Sequence, residues 1–222
     1  MLTEIRDEPQ IARSASPWLV VQRLVAVVAL LPALIPMGFV AAVIWLTLGR
    51  PLLFRQVRSG QGNRTFTIPK FRTMHDWRDA RGNLLPDHQR ETRITRWIRR
   101  ARLDEIPQLF TIAAGQMSFV GPRPLRPETI ASFGELGLVR ALVPPGLTGW
   151  AQVNGNILLS DAEKLALDIW YVDHRSVWLD LRILARTITT ITRGERIGAQ
   201  ALAQARDHLA RRSWMAARRV MS

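Results

Sequence analysis

From Leu24 to Gly49 the chain runs for about 26 residues without a charged side chain, LVAVVALLPALIPMGFVAAVIWLTLG. A membrane-crossing helix needs about 20 apolar residues, so the length is sufficient. A cleaved signal peptide has a shorter apolar region and ends in an Ala-x-Ala-like site, which is missing before Arg50. Two details depart from a plain span. Pro32 and Pro36 lie near the middle, where each removes a helical hydrogen bond and favours a kink. Arginines flank both ends, Arg13 and Arg23 before, Arg50, Arg55 and Arg58 after, and such flanks favour one and the same side of the bilayer. A kinked transmembrane helix and a helix broken at the prolines that re-enters its own leaflet both remain open at this point.

The remaining sequence is strongly basic. In 222 residues, 31 Lys and Arg against 18 Asp and Glu give a formal net charge of +13, and the only lysines are Lys70 and Lys164. This balance predicts an anionic partner: nucleic acid, anionic lipid headgroups or a polyphosphate. With no cysteine, disulfides and thiolate metal sites are excluded. His75, His88, His174 and His208 show no zinc-ligand spacing, and no G-x-x-x-x-G-K-[ST] loop occurs.

Residues 51–74 read as short extended pieces around a turn at Gly60-Gln61-Gly62-Asn63, with Phe66, Ile68 and Phe71 inward and Lys70 and Arg72 on the other side. Residues 76–87 read as a loop. Residues 91–103 form a basic helix with Ile94, Trp97 and Ile98 on one face. Ser160-x-x-Glu163 is a capping box opening a helix to about His174, and residues 177–192 are again helical in period. The segment from Ala199 to Val220 is basic and amphipathic, with Leu202, Leu209, Trp214, Met215 and Val220 among its apolar residues. Trp18 and Trp45 bracket the apolar segment at headgroup-like positions.

The chemistry concentrates in RRARLDEIPQLFTIAAGQMSFVGPRP, residues 99–124. Asp104 and Glu105 precede Pro107, which suits the first turn of a helix ended by Gly115, so either acid is placed to cap it. Adjacent acids can equally hold a metal ion or attack an electrophile. Arg123, fixed between Pro122 and Pro124, is suited to grip a phosphate bidentately.

Six blocks then occur in order: FRQVRSGQGNRTFTIPKFRTM (54–74), RLDEIPQLF (102–110), MSFVGPRP (117–124), PGLTGWAQVNG (145–155), LALDIWYV (165–172) and WLDLRIL (178–184). In this order and spacing the chain resembles the bacterial sugar transferases, the monotopic phosphoglycosyl transferases. The resemblance implies an α/β, mainly helical, membrane-associated catalytic domain with an N-terminal proline-broken re-entrant helix and interfacial amphipathic helices. The corresponding division is 1–50 for the N-terminal segment and membrane helix, 51–195 for the cytoplasmic catalytic domain and 196–222 for the basic tail. It further implies transfer of a sugar phosphate from a UDP-sugar to polyprenyl (undecaprenyl) phosphate at the cytoplasmic face of the inner membrane, with release of UMP. On matching positions Asp104 is the nucleophile forming an aspartyl-phosphosugar, Glu105 a catalytic partner and Mg²⁺ ligand, and Lys70, Arg99, Arg123 and Asp168 bind substrate. The partners implied are the donor, the lipid acceptor and the bilayer, with no specific nucleic acid and with a homodimer left open. The absence of a large preceding membrane domain fits a minimal catalytic core.

Taken singly, each residue has a plainer reading: Asp104–Glu105 as a cap complementing the helix dipole, Arg123 as a surface ion-pair partner, Lys70 as a solvated strand residue, and Asp168 as a helix residue paired with Arg175 or Lys164. A non-enzymatic, membrane-anchored basic protein binding anionic lipid or nucleic acid is the alternative function. The chain also departs from the family pattern: Ile35-Pro36 replaces Ser-Pro, Ala101-Arg102 replaces Thr-Ser, and Pro144 and Asn156 stand where arginines are common. The last two bear on nucleotide or sugar preference.

Overall fold

The computed structural model describes residues 16–221, with side chains undescribed at 213 and 215–221. Arg13 and the side chains of Met215 and Val220 therefore lie outside the described residues. The elements in order are α1 (Pro17–Leu48), β1 (Leu53–Ser59), β2 (Thr65–Phe71), α2 (Asp87–Arg90), α3 (Arg93–Arg100), a 3-10 segment (Leu103–Gln108) leading into α4 (Leu109–Ala113), β3 (Ser118–Val120), α5 (Pro127–Ser132), α6 (Glu135–Arg140), β4 (Gly146–Thr148), α7 (Trp150–Val153), α8 (Asp161–His174), α9 (Val177–Arg193) and α10 (Ala199–Met221). The chain is mostly helical. β1 and β2 make an antiparallel hairpin, and β3 and β4 a short parallel pair.

α1 is one continuous helix with Pro32 and Pro36 inside it, so the prolines do not interrupt helical conformation. Their missing donors leave the carbonyls of Val28 and Pro32 without the usual i→i−4 bonds. Its buried residues, Gln22, Ala26, Val40 and Ile44, repeat at helical spacing and form one inward seam. The rest faces outward, with Leu24, Val28, Leu31, Ile35 and Leu46 all more than 60% exposed. The N-terminal part of the seam packs Ala26 against Phe66, Ile68, Ile112 and Met117. The C-terminal part packs Val40 and Ile44 against Phe71 and Ile98. Both stretches of the seam thus share a cluster with residues of β2. Arg72 closes the helix by donating to the carbonyls of Leu48 (2.6 Å) and Gly49 (2.9 Å), two of the acceptors that a helix end leaves unpaired.

The hairpin corrects the expected faces. Because side chains alternate with a period of two, Phe66, Ile68 and Lys70 share one face, opposite Arg58, Gln56 and Phe54 in register, while Phe71 turns to the other cluster. Lys70 is therefore on the inward side, not across from Phe66 and Ile68. In α3 only Ile98 of the expected apolar trio is buried; Ile94 and Trp97 are 40% and 56% exposed, and Thr95 fills the inward position.

The largest cluster joins Trp150, Leu167, Tyr171 and Ile183 from α7, α8 and α9. α10 belongs to it through Leu202 and Ala205, and is tied to α8 by Arg206–Glu163 (2.7 Å) and Arg212–Asp173 (2.5 Å). The Ser160–Glu163 capping box forms as read, with each partner's side chain meeting the other's backbone. Trp18 is anchored to the protein, its ring N–H donating to Asp180 Oδ2 at 2.7 Å. Asp180 is fully buried and also accepts from the Tyr171 hydroxyl (2.6 Å), so one carboxylate joins α1, α8 and α9.

Candidate active site

Neither acid of the Asp104–Glu105 pair caps a helix, because the turn that carries them sends their side chains elsewhere. Arg102, immediately before the turn, adopts the left-handed conformation (φ 58°), which reverses the chain after α3. The following 3-10 segment buries Glu105, at 6% exposure, under the hairpin. There Glu105 Oε1 accepts from Lys70 Nζ at 2.7 Å and from Arg123 Nη2 at 2.8 Å. Arg102 Nη1 lies 3.7 Å from Oε2. Asp104 is only partly shielded and makes no ion pair among the described residues.

The two acids consequently titrate apart. Burial and the neighbouring Glu105 charge raise Asp104 from 3.8 to about 6, against the pull of Lys70, its own backbone amide and Arg99. Burial acts on Glu105 in the same sense, but Arg123 and Lys70 outweigh it and hold this carboxyl down at about 2. Lys70 is lowered, chiefly by burial, although Glu105 opposes that shift. One carboxylate is thus a fixed structural anion and its neighbour an accessible, basic one.

Arg123 is placed by backbone rather than by its own partners. β3 ends in the Gly121–Pro124 turn, and β4 lies close against it: Gly121 N donates to Thr148 O (2.9 Å) and Gly146 N to Pro122 O (3.0 Å). A Cβ at Gly121 would meet the Pro144 carbonyl at 2.4 Å, and one at Gly146 would meet Gly121 N at 2.1 Å, so this approach requires glycine on both sides. Arg140 then holds the turn from behind by donating to the Arg123 carbonyl.

Of the residues picked from sequence, the structure brings together Asp104, Glu105, Lys70 and Arg123. Arg99 stands at the edge: it pairs with Glu91 at 3.3 Å while its charge is felt at Asp104. Asp168 is not in the cluster. It is buried on α8, accepts from Arg140 Nε at 2.8 Å, and reaches the site only through Arg140 and the Arg123 carbonyl. Arg140, the support of the Gly121–Pro124 turn, was missed, as were two residues nearer the acidic pair. Arg102 was noted only as a departure, and Glu195, between α9 and α10, gave no local signal; Glu195 bonds Arg102 Nη2 (3.4 Å), Asn156 Nδ2 and Ile157 N (3.3 Å). The variant loop at Asn156, which has φ 44°, is thereby fastened to Arg102, two residues before the acidic pair.

A family model described as "Bacterial sugar transferase" matches residues 18–194, from α1 to the end of α9. The chain belongs to the bacterial sugar transferases. Among similar proteins is one named uncharacterized sugar transferase EpsL from Bacillus subtilis, 46% identical over 159 residues, covering 72% of this chain and 79% of that protein. The undecaprenyl-phosphate glucose phosphotransferase of Komagataeibacter xylinus is 42% identical over 197 residues, and the UDP-N-acetylgalactosamine-undecaprenyl-phosphate N-acetylgalactosaminephosphotransferase of Aeromonas hydrophila 36% over 180. This family member covers 79% and 77% of its own length in those two matches, but only 37% and 43% of theirs.

For a metal, no group of three or more His, Cys, Asp or Glu occurs among the described residues. Mg²⁺ does not need one, since it is commonly held by one or two carboxylates and completed by phosphate oxygens and water. Glu105 Oε1 is taken by two cations, whereas Oε2 has only Arg102 at 3.7 Å. Among the described residues Glu105 Oε2, with Arg102 no nearer than 3.7 Å, is the oxygen of the clamped carboxylate left for a hard cation.

Proposed function

We propose that this protein is a phosphoglycosyl transferase that moves a sugar phosphate from a UDP-sugar to polyprenyl phosphate through a covalent intermediate on Asp104. The observation that carries this reading is the division of labour within the acidic pair: Glu105 is clamped by Lys70 and Arg123, while Asp104 beside it makes no ion pair among the described residues. A carboxylate nucleophile divides one difficult transfer into two easier ones. In the first, an Asp104 oxygen attacks the β-phosphorus, the bond from that phosphorus to the bridging oxygen breaks, and UMP leaves. In the second, an oxygen of the lipid phosphate attacks the same phosphorus and the Asp104 carboxylate departs unchanged.

Lys70, Arg102 and Arg123, already gathered on Glu105, are placed to orient the diphosphate by charge-assisted bonds, with Arg99 at the rim. Mg²⁺, when held at Glu105, would neutralise charge on the phosphate oxygens. The names of the relatives support undecaprenyl phosphate as acceptor and a UDP-sugar as donor. A non-catalytic binder of anionic lipid or nucleic acid would have no use for the buried clamp on Glu105.

The membrane reading follows from α1. A straight helix of 32 residues at about 1.5 Å per residue is longer than the roughly 30 Å hydrocarbon core. Its inward seam nevertheless packs on one folded body, Ala26 in a cluster with Phe66 and Ile68 and Val40 and Ile44 in a cluster with Phe71, which supports keeping both flanks on one side. This favours a helix that enters and leaves by the cytoplasmic leaflet of the inner membrane, bent where Pro32 and Pro36 remove hydrogen bonds.

The deciding experiment is trapping with a sugar-labelled UDP-sugar and Mg²⁺, without acceptor, on the full chain in lipid nanodiscs. Label on Asp104 with stoichiometric UMP is expected, and both are lost in Asp104→Asn; full turnover by that variant would overturn the mechanism. For topology, cysteines placed near each end of α1 should both resist an impermeant thiol reagent applied outside intact cells, and labelling of one end alone would refute re-entry.

A further inference from the structure

The catalytic cluster does not use all the positive charge gathered beside it. Arg58, the penultimate residue of β1, lies on the same hairpin face as Lys70, four positions further along in register, since Arg58 pairs with Phe66 and Phe54 with Lys70. Four residues of strand span about 13 Å. The backbone ties this end to the turn carrying Arg123: Ser59 N donates to Leu125 O at 2.9 Å. Arg126 follows directly in sequence. Arg58, Arg123 and Arg126 are therefore held together by two fixed backbones, the hairpin and the Gly121–Pro124 turn. Their counter-charges are uneven. Arg123 has Glu105, but Arg58 is bonded only to the neutral Gln56 side chain, and neither Arg58 nor Arg126 makes an ion pair among the described residues. Three guanidinium groups with one carboxylate between them, Arg58 and Arg123 half-buried and Arg126 exposed, have the chemistry of an anion site.

We propose that Arg58 and Arg126, completed by Arg123, bind the terminal phosphate of the polyprenyl phosphate acceptor. This rests on the phosphoglycosyl transfer reading above. The attacked diphosphate already faces Lys70, Arg102 and Arg123 around Glu105, so the cations beyond Arg123 serve a second phosphorus group. The acceptor's phosphomonoester carries close to two negative charges at neutral pH, more per phosphorus than either diester phosphate of the donor, and two unpaired guanidiniums match it. Burial and the adjacent Arg123 and Arg126 charges lower the Arg58 pKa, the signature of cations crowded without an acid. Arg123, shared between the two groups, brings an acceptor oxygen toward the phosphorus on Asp104. A bond then forms from that oxygen to phosphorus, the bond from phosphorus to the Asp104 oxygen breaks with its electron pair returning to the carboxylate, and no proton is transferred.

The two half-reactions separate this subsite from the mechanism it depends on. The full chain in nanodiscs is loaded with labelled UDP-sugar and Mg²⁺, the UMP burst is recorded, and the labelled protein is chased with undecaprenyl phosphate. For Arg58→Gln, Arg126→Gln and the double variant, the burst should stay within about twofold of the parent, while the chase at subsaturating acceptor slows about tenfold or more with a matching rise in acceptor KM. Arg58→Lys and Arg126→Lys should recover most of the chase, since charge is restored without the fork geometry. A burst that falls in step with the chase would assign these arginines to the nucleotide and overturn the proposal, as would an unchanged chase. A parent protein that shows neither burst nor label would refute the covalent mechanism instead. Should the half-buried Arg58→Gln fail to fold, the exposed Arg126→Gln decides alone.

Discussion

The opposite treatment of two adjacent carboxyls makes a stability prediction of opposite signs. Asp104 has its folded pKa raised from 3.8 to about 6, so its ionised form is disfavoured in the native state. Stability that is complete below pH 3.8 is lost as the pH rises through 6, and at pH 7.5 the shift corresponds to about 3 kcal/mol at 1.36 kcal/mol per unit. Asp104→Asn removes that charge at nearly constant shape. Allowing for solvent reaching this partly shielded group, it should stabilise the apo protein by about 1–2 kcal/mol, or roughly 3–6 °C in a chain of this size. Glu105 runs the other way. Its pKa is held at about 2 against 4.5, so it contributes stability that is present above pH 4.5 and lost as the pH falls toward 2. Glu105→Gln should cost on the order of 3 kcal/mol at neutral pH, because Lys70 and Arg123 lose their anion. The measurement is thermal unfolding by tryptophan fluorescence in detergent with EDTA, from pH 4 to 8. The gain of Asp104→Asn over the parent should be absent at pH 4 and complete by about pH 7. A melting temperature for Asp104→Asn at or below the parent's at pH 7.5 would refute the assignment of Asp104 as the strained, available acid.

Two further perturbations test the supports of the site. Asp168 and Arg140 are both about 95% buried at their side chains, and Asp168 Oδ1 has no partner among the described residues, so Asp168→Ala leaves a buried guanidinium without its anion, bonded to the Arg123 carbonyl, and should cost about 3–5 kcal/mol in urea unfolding. Arg140→Met, which removes the other half, should also lower kcat by freeing the Arg123 carbonyl; a kcat equal to the parent's would show that Arg140 does not position that turn. Trp18→Phe removes one donor from the buried Asp180 carboxylate and should destabilise by about 1–3 kcal/mol, whereas no change in chemical unfolding would mean that α1 is not anchored through that bond.

The sequence made legible what is local. Ser160 and Glu163 meet three residues apart, and the capping box followed from spacing alone. The Gly60–Asn63 turn announced itself by glycine and asparagine, which supply positive φ at Gly62 and Asn63. The acidic pair shows where such reasoning ends. Local rules made Asp104 or Glu105 a cap, but the cations that decide their roles come from 35 and 18 residues away, brought in by the hairpin and by the β3–β4 pair. Likewise the plain alternatives for Asp168 were Lys164 and Arg175 on its own helix face, and its true partner is Arg140, 28 residues back. Arg102 and Glu195 are 93 apart and were beyond any spacing argument. The ordered blocks compensated, because their fixed order encodes three-dimensional neighbours that no single window contains.

The same long-range assembly predicts how substrate finds the site. Around the turn of the acidic pair stand Lys70, Arg58, Arg99, Arg102, Arg123 and Arg126, facing among the described residues the four acids Asp104, Glu105, Glu91 and Glu195. The resting site is thus net positive, and it sits within a chain of net charge +13. The nucleotide-diphosphate donor of the proposed reaction would be drawn in from solution by a field that salt screens over a Debye length of about 8 Å at 0.15 M and about 3 Å at 1 M. The bonds of the Glu105 clamp itself, at 2.7–2.8 Å, lie inside either length, so salt leaves the site's own geometry intact. Raising NaCl from about 0.05 to 0.5 M at fixed Mg²⁺ should accordingly raise the donor KM several-fold and slow UMP-burst association, while single-turnover chemistry at saturating donor changes little. A donor KM indifferent to salt would mean that the guanidiniums are neutralised in the resting protein, and both the clamp and the second phosphate site would lose their electrostatic basis.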